Sequence, residues 1–213
     1  MEIIFCDNHI LVVSKQAGVS TQPHEGLSDS LLDKAKAYLK KKFQKPGLVF
    51  LEPIHRLDTP VSGLVLFART SKALSRLQEL MRQKLIEKTY FAWVEGHLPQ
   101  KEGTLEHYLV HDEHKARVAH ATHPSAKLAR LHYEEIDQQN GKALVKIILE
   151  TGRYHQIRAQ FSAIGCPVLG DTKYGSSSLQ KEGIALHHGR LKFVHPVTKE
   201  SLQFEKIPRY FSM

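Results

Sequence analysis

The sequence predicts an α+β protein with a mixed, largely antiparallel β-sheet and flanking helices. Many short runs of β-branched and apolar residues follow one another, and three stretches carry apolar residues at helical spacing. These strands and helices do not alternate regularly, which argues against the parallel sheet of βαβ proteins. No repeat, low-complexity tract or linker divides the chain, so we expect one domain over residues 1–213.

The first half of the chain is predicted to open with a β-hairpin and to continue with two amphipathic helices. The pair Asp7-Asn8 favours a tight turn between two apolar runs. Each helix follows a capping residue, and the first has an exposed face rich in lysine. The expected elements are strands at Ile3–Phe5, His9–Val13, Leu48–Leu51 and Leu64–Ala68, and helices at Leu31–Phe43 and Ser71–Ile86.

The second half is predicted to be rich in strands and to contain one more helix. Asn140-Gly141 marks a turn between two strands, and Gly165 ends the helix. The expected strands are Thr89–Val94, Thr104–Val110, Ala116–His120, Leu128–Ile136, Ala143–Glu150, Ala185–Val194 and Ser201–Phe204, and the expected helix is Arg153–Ile164.

The balance of charges points to an anionic partner. The chain has 30 Lys and Arg residues against 22 Asp and Glu residues, which gives a formal net charge of +8. Because net charge says more about partners than about fold, nucleic acid is the first polyanion to consider. Charge alone raises this hypothesis only modestly, so specific residues must decide it.

The composition also excludes several classes of protein. With 41% hydrophobic and 24% charged residues, the chain is close to the globular average and is neither disordered nor collagen-like. No apolar run approaches the roughly 20 residues that cross a bilayer, and the N-terminus lacks the sections of a signal peptide. We therefore expect a cytoplasmic protein. Cys6 and Cys166 are expected to be small buried side chains rather than nucleophiles.

Two polar strings are the candidates for chemistry. His55-Arg-Leu-Asp58 lies in a loop that Gly63 closes between two predicted strands, where active-site groups are commonly held. Taken alone, it could be a surface ion pair in a turn. The string Gly152–Arg158 begins the last predicted helix with polar and aromatic residues, and a helix N-terminus favours anions.

Together with other strings, these residues resemble the RluA-type RNA pseudouridine synthase family. Each string alone is weak evidence, but all of them in this order are highly specific. The resemblance covers most of the chain and implies the pseudouridine synthase fold. The matching strings are Asn8–Thr21, His55–Gly63, Lys88–Ala92, Gly152–Arg158, Ala185–His187 and Phe193–Pro196.

The resemblance also implies a role for individual residues. Asp58 would be the catalytic aspartate, and Arg158 would pair with it. Tyr90 would stack on the target base, and Arg56 would occupy the space that the extruded uridine leaves in the RNA. The implied partner is RNA, with ribosomal RNA and transfer RNA both open.

The implied reaction explains why such residues are needed. The glycosidic carbon–nitrogen bond breaks, the uracil rotates while it is held, and a carbon–carbon bond forms to the same sugar. A carboxylate can attack the sugar or the base, stabilise positive charge or remove the final proton, and these routes stay open. A neighbouring arginine favours the ionised carboxylate. The reaction needs no redox group, metal or energy source, so no cofactor is expected.

The sequence leaves two other functions open. The same cleft could bind RNA without turnover, as a non-catalytic RNA-binding module. Alternatively, Asp58 and Asp171 could act as the paired carboxylates of an N-glycosidase, which would release free uracil. The glycine-rich string Gly170–Gly175 lacks the lysine-serine ending of a phosphate loop, and we interpret it as a turn near the cleft.

The chain departs from the family pattern in three respects. Tyr154 stands where the family usually has threonine, and His188 stands where a small residue is usual. The catalytic pattern begins at residue 3, so the resemblance implies a catalytic domain without an additional N-terminal RNA-binding domain. A monomer is the expected state.

A dense group of histidines has some spacings that are compatible with zinc. The strand pattern, however, places these residues on different faces, and no cysteine lies near them. We therefore expect surface histidines and no metal site. The group consists of His107, His111, His114, His120 and His123.

Overall fold

The computed structural model describes residues 1–23, 29–180 and 182–211. The strands are β1 (Glu2–Cys6), β2 (Ile10–Lys15), β3 (Glu52–Pro53), β4 (Ser62–Ala68), β5 (Glu87–Glu95), β6 (Glu102–Asp112), β7 (Lys115–Ala119), β8 (Lys127–Gln139), β9 (Lys142–Leu149), β10 (Leu186–Val194) and β11 (Ser201–Glu205). The α-helices are α1 (Leu31–Lys42), α2 (Ser71–Arg82) and α3 (Gln156–Ala163), and 3₁₀ helices cover Thr172–Tyr174 and Arg209–Phe211.

The strand pairs with a defined register run antiparallel, and three α-helices accompany them. The predicted α+β class with a mixed, largely antiparallel sheet is thereby confirmed. The described chain divides into two compact units, of which unit 1 is Met1–Glu87 with Gly189–Lys206 and unit 2 is Lys88–His188 with Ile207–Met213. The expectation of one domain over residues 1–213 stays a prediction.

Unit 1 is built on a hairpin and the strands that extend it. β1 pairs with β2 after Asp7, whose Oδ1 accepts the N–H groups of His9 and Ile10, as the turn-forming pair predicted. β2 pairs with β4, and β11 pairs with β10. α2 covers an apolar core on this sheet, because Ala73 and Leu77 face inward at helical spacing.

Unit 2 carries the longer strands in the order β5, β9, β8, β6, β7. Asn140 and Gly141 adopt positive φ angles of 49° and 72°, which is the geometry that a two-residue turn between β8 and β9 requires. α3 packs through Ala159 against Leu109 and Ala116 of the β6–β7 hairpin. This packing fixes the helix that contains Arg158.

Three predicted elements differ from the structure. Leu48–Leu51 does not form a strand: Leu48 is fully exposed, and the short β3 begins only at Glu52. α2 ends at Arg82 rather than Ile86, because Lys84 takes a positive φ of 58°. α3 begins at Gln156 rather than Arg153, which places the preceding polar residues in a loop.

The first helix keeps its predicted position and has a complete N-terminal cap. Ser30 Oγ accepts the N–H of Asp33, and the carboxylate of Asp33 accepts the N–H of Ser30, which is a capping box. In the part of the chain that the structure describes, no helix is long and apolar enough to span a bilayer.

Candidate active site

The loop that contains Asp58 connects β3 to β4 in unit 1. At its start, His55 Nε2 accepts the N–H of Leu66 on β4 at 3.3 Å. At its tip, the N–H of Val61 donates to the Asp58 carbonyl at 3.0 Å, which closes a tight turn. Asp58 is partly exposed at this turn. The turn therefore presents the carboxylate from a loop anchored to a buried strand.

Thr21 fixes the residue immediately before Asp58. Its Oγ1 donates to the Leu57 carbonyl at 2.9 Å and accepts the Leu57 N–H at 3.1 Å. Both backbone groups of Leu57 are thus bound by one buried hydroxyl 36 residues earlier in the chain. Such a paired contact holds the backbone of the loop and limits the directions that the Asp58 side chain can take.

Lys15 holds the other side of the same turn. Its ammonium donates to the carbonyls of Gln16, Val19 and Thr59 at 3.1, 2.6 and 3.1 Å, so it satisfies three donors in a side chain that is only 1% exposed. Burial lowers the pKa of Lys15 from 10.5 to about 8, while the charge of Asp58 acts in the opposite direction. Lys15 is therefore a buried positive charge that acts on Asp58.

In unit 2, the ring of Tyr90 on β5 is 7% exposed and stacks on His188. The two ring centroids lie 4.6 Å apart, and their planes differ by 21°. The residue that departs from the family pattern thus covers one face of the Tyr90 ring. Tyr90 is fixed by packing rather than exposed on a flexible segment.

The second departure, Tyr154, lies in the loop before α3. Its ring stacks on His155 at a centroid distance of 3.8 Å and contacts the His111 ring at 4.3 Å. His155 itself has a positive φ of 50°, which turns the chain into the helix. Tyr154 thus packs beside the residue that carries the backbone bend.

The bend at His155 is secured by a hydroxyl from the segment that follows α3. Tyr174 Oη accepts the N–H of Ala116 at 2.7 Å and lies 2.8 Å from His155 Nδ1. The Tyr174 hydroxyl therefore bridges the backbone of Ala116 and the ring of His155. Burial and the nearby cation of Arg158 lower the pKa of His155 to about 3, so the ring is neutral near pH 7.

Arg158 is anchored by Asp171 in a buried bidentate ion pair. Nε and Nη2 donate to Oδ2 and Oδ1 at 2.6 and 2.9 Å, and the two side chains are 5% and 1% exposed. The Arg158 guanidinium also lies 4.9 Å from the Tyr174 ring centroid. The fork geometry fixes the plane of the guanidinium and therefore the direction of its third nitrogen, Nη1.

The four predicted site residues divide between the units. Asp58 and exposed Arg56 lie two positions apart in the same loop of unit 1. Tyr90 and Arg158 lie in unit 2, on β5 and α3. Contacts hold Tyr90, Arg158 and the backbone beside Asp58, whereas Arg56 is exposed. The roles assigned by resemblance stay predictions.

Three residues that shape the site are absent from the sequence-based prediction. Lys15 and Thr21 lie in the matched string at the beginning of the chain, and Tyr174 lies in the glycine-rich string after α3. Their positions in those strings were the available signal. Their contacts could not be inferred, because each joins segments that are distant in sequence. Asp171 is a candidate glycosidase acid by sequence, whereas in the structure its carboxylate forms an ion pair with Arg158.

The predicted surface histidines contact different residues rather than one another. His107 lies beside Gln160, His120 beside Thr122 and His123 beside Ser125. Across residues 1–23, 29–180 and 182–211, no cluster of three or more His, Cys, Asp or Glu side chains is arranged to hold a metal ion. The two cysteines are unpaired as thiols, with Cys166 buried and Cys6 partly buried.

Comparison with known proteins identifies a family. Residues 9–163 match the model of the RNA pseudouridylate synthases. The chain is 34% identical to the uncharacterized RNA pseudouridine synthase YhcT of Bacillus subtilis, over 96% of this chain and 68% of that protein. It is 32% identical to the dual-specificity RNA pseudouridine synthase RluA of Pasteurella multocida, over 99% of this chain and 94% of that protein.

A solved structure supports the same fold. The human RNA pseudouridylate synthase domain containing 4 superposes with a TM-score of 0.81 at 23% sequence identity, covering 99% of this chain and 90% of that one. The predicted pseudouridine synthase fold is confirmed by this similarity. Asp58, Tyr90 and Arg158 all fall inside the range matched by the family model.

Proposed function

The chain belongs to the RNA pseudouridylate synthase family and isomerises uridine in RNA, and on that premise we propose how its own residues perform the reaction. Asp58 acts on the target uridine, and Arg158 pairs with the Asp58 carboxylate to keep it ionised and oriented. Tyr90 stacks on the uracil, and Arg56 fills the space that the flipped nucleotide leaves. The reaction requires no metal and no organic cofactor.

The observation that carries these roles is the rigid support of Asp58. Thr21 and Lys15 bind the backbone on both sides of the residue, which supports a carboxylate that is preorganised for the uridine. A carboxylate that must meet a flipped base benefits from such preorganisation, because misplacement by about 1 Å can reduce a rate by about a hundredfold.

The ion pair of Arg158 supports the second role. Asp171 fixes the guanidinium through two nitrogens, and the Tyr174 ring lies beside it. A guanidinium held in this way offers Nη1 in a set direction to an anionic group of the site. Arg158 therefore contributes a fixed positive charge rather than a mobile one.

The chemistry balances without any other reactant. The N1–C1′ bond of uridine breaks, C5 of the rotated uracil bonds to C1′, the proton on C5 leaves to solvent, and N1 takes up one proton from solvent, so that substrate and product have the same composition. Flipping the base out of its stack costs a few kcal/mol, and stacking on Tyr90 returns part of that cost. We propose ribosomal or transfer RNA as the substrate and a cytoplasmic monomer as the acting form.

Asp58→Asn tests the role of the carboxylate. Uridine labelled with tritium at C5 loses that tritium only when the C5–C1′ bond is formed. Wild type should release tritium from RNA taken from cells that lack the protein, and Asp58→Asn should release it at least about a thousandfold more slowly, because the charged oxygen that acts on the nucleotide is gone.

The matched control is Glu205→Gln, which changes an exposed carboxylate paired with Arg190 and should keep the wild-type rate within about twofold. RNA affinity is measured in parallel. Equal tritium release by wild type and Asp58→Asn would overturn the role of Asp58. No release by wild type from any RNA, with affinity retained, would favour a binding module instead.

A further inference from the structure

A basic groove lies along β7 in unit 2, and none of the residues proposed for catalysis lines it. Its volume is about 490 Å³, and we name it the β7 groove. Small side chains such as Ala116, Ala159 and Ser162 line its floor, while Lys115 and Lys173 stand at its sides. The space that the small residues leave is therefore bordered by cations.

The charge of the β7 groove is positive and largely uncompensated. Its lining includes Lys115, Arg117 and Lys173 and, among the residues that the structure describes, no carboxylate. Arg117 is shared with Asp112, to which its Nε donates at 2.9 Å. Neither lysine lies within ion-pair distance of an acidic side chain in the described part of unit 2. The two lysines thus carry most of the net charge.

Both lysines are held at the groove rather than loosely tethered. Lys173 Nζ donates to the His114 carbonyl at 3.1 Å, and Lys115 Nζ lies 5.7 Å from the Tyr174 ring centroid. Ser162 Oγ donates to the Tyr174 carbonyl, which ties the floor of the groove to the same segment. A partly ordered pair of ammonium groups loses less conformational entropy when it binds an anion.

Tyr174 links the β7 groove to the residue proposed for the active site. The guanidinium of Arg158 lies 4.9 Å from the Tyr174 ring centroid, and Lys115 Nζ lies 5.7 Å from the same centroid. The two cations are therefore no more than about 11 Å apart, close enough for one RNA strand to meet both.

We propose that the β7 groove binds phosphates of the substrate RNA strand that flanks the target uridine, through Lys115 and Lys173. The proposal rests on the proposed function, because it takes the RNA that Arg158 meets as the ligand. The ammonium groups of Lys115 and Lys173 attract phosphates, and the small side chains between them leave room for a sugar–phosphate chain.

The test is the double variant Lys115→Gln/Lys173→Gln. Each phosphate contact on a single strand contributes about 0.7 to the slope of log affinity against log salt concentration, so the slope should fall by about 1.4. Near physiological salt, the RNA dissociation constant and the KM for tritium release should rise about tenfold. The groove variant should therefore have a higher KM and a kcat near that of wild type. The variant Lys115→Arg/Lys173→Arg, which keeps both charges, should bind RNA like wild type.

The matched control is Lys40→Gln/Lys41→Gln, which removes the same charge from exposed lysines at the end of α1. The salt slope of the control should stay near that of wild type. An unchanged slope in the groove variant, or equal changes in both double variants, would overturn the proposal. Because RNA affinity is measured without turnover, absence of tritium release by wild type would count against the proposed function and not against the groove.

Discussion

Lys15 places a buried ammonium next to the loop that carries Asp58. Three carbonyl oxygens accept its three N–H groups, a number that only the protonated amine can supply. Removal of the proton would leave one carbonyl without a donor and would take away a positive charge that acts on Asp58. The protonation state of Lys15 therefore controls both the shape and the electrostatics of the loop.

The rate of isomerisation should fall as the pH rises through about 8, because Lys15 loses its proton there. Lys15→Met should lower kcat by about ten- to a hundredfold at pH 7 and should abolish this alkaline decline. The pH dependence of kcat for tritium release measures both effects. Lys88→Met is the control, because Lys88 is another buried lysine whose pKa is lowered by burial. This variant should keep the alkaline decline of kcat.

The same titration acts on stability in the opposite direction. The folded pKa of Lys15 lies below its unfolded value of 10.5, so between pH 8 and 10.5 the unfolded chain binds more protons. The contribution of Lys15 to the free energy of unfolding therefore increases with pH across this window. An alkaline loss of activity that followed unfolding, or one that Lys15→Met retained, would contradict the assignment.

Tyr174 supplies one hydroxyl to two partners. Tyr174→Phe should lower the free energy of unfolding by about 1–3 kcal/mol, because the Ala116 N–H and His155 Nδ1 both lose the oxygen that binds them. Chemical denaturation measures the change. The control Tyr108→Phe removes a hydroxyl from a part-exposed ring and should shift the denaturation midpoint little. Equal effects of the two variants would show that the hydrogen bonds of the Tyr174 hydroxyl do not stabilise the fold.

At the scale of elements, α3 and the 3₁₀ segment that follows it act as one support for Arg158. Asp171 lies immediately before the 3₁₀ helix Thr172–Tyr174, and its carboxylate binds the helix residue Arg158. Glu95 fixes the far end of this segment by accepting hydrogen bonds from Ser176 and Ser178. Burial raises the pKa of Glu95, but these hydrogen bonds outweigh it and lower the pKa to about 2.

Asp171→Asn should destabilise the protein by about 3–5 kcal/mol, because it removes the negative charge from a buried bidentate ion pair with Arg158. Tritium release should slow by more than about tenfold, since the guanidinium loses its fixed plane. The control Glu134→Gln removes an exposed partner of Lys146 and should cost about 0–1 kcal/mol. Equal denaturation midpoints for the two variants would show that the buried pair does not anchor α3.

Element positions could be predicted where local signals agree, and not where distant contacts decide. The Asp7 turn and the cap of α1 depend on residues within four positions of each other, and both are as expected. The predicted beginning of α3 was wrong, because His155 takes a left-handed conformation that Tyr174, 19 residues later, stabilises. A helical pattern contains no information about such a partner.

The site residues, too, could be predicted from local sequence strings but not from contacts between distant segments. Asp58 was identified because it belongs to a string that resembles the family loop, and Arg158 because it belongs to another. Lys15 and Thr21 were not identified, since they form hydrogen bonds to backbone atoms 44 and 36 residues away, respectively. Backbone acceptors have no sequence signature, so these contacts appear only in the folded chain.

At the scale of the whole molecule, a net charge of +8 is consistent with an RNA substrate, but its distribution is more informative than its size. The exposed end of α1 and the β7 groove are both basic. Only the groove adjoins Tyr174, whose ring also contacts Arg158. The comparison of these two surfaces therefore separates a general attraction for RNA from a positioned contact.

The most direct test of the central claim is the nucleoside content of treated RNA. RNA from cells that lack the protein is incubated with wild type, digested to nucleosides and separated by chromatography. The account predicts pseudouridine in an amount equal to the uridine lost, with no free uracil, and none of this conversion with Asp58→Asn. Free uracil without pseudouridine would contradict it and would identify base excision instead.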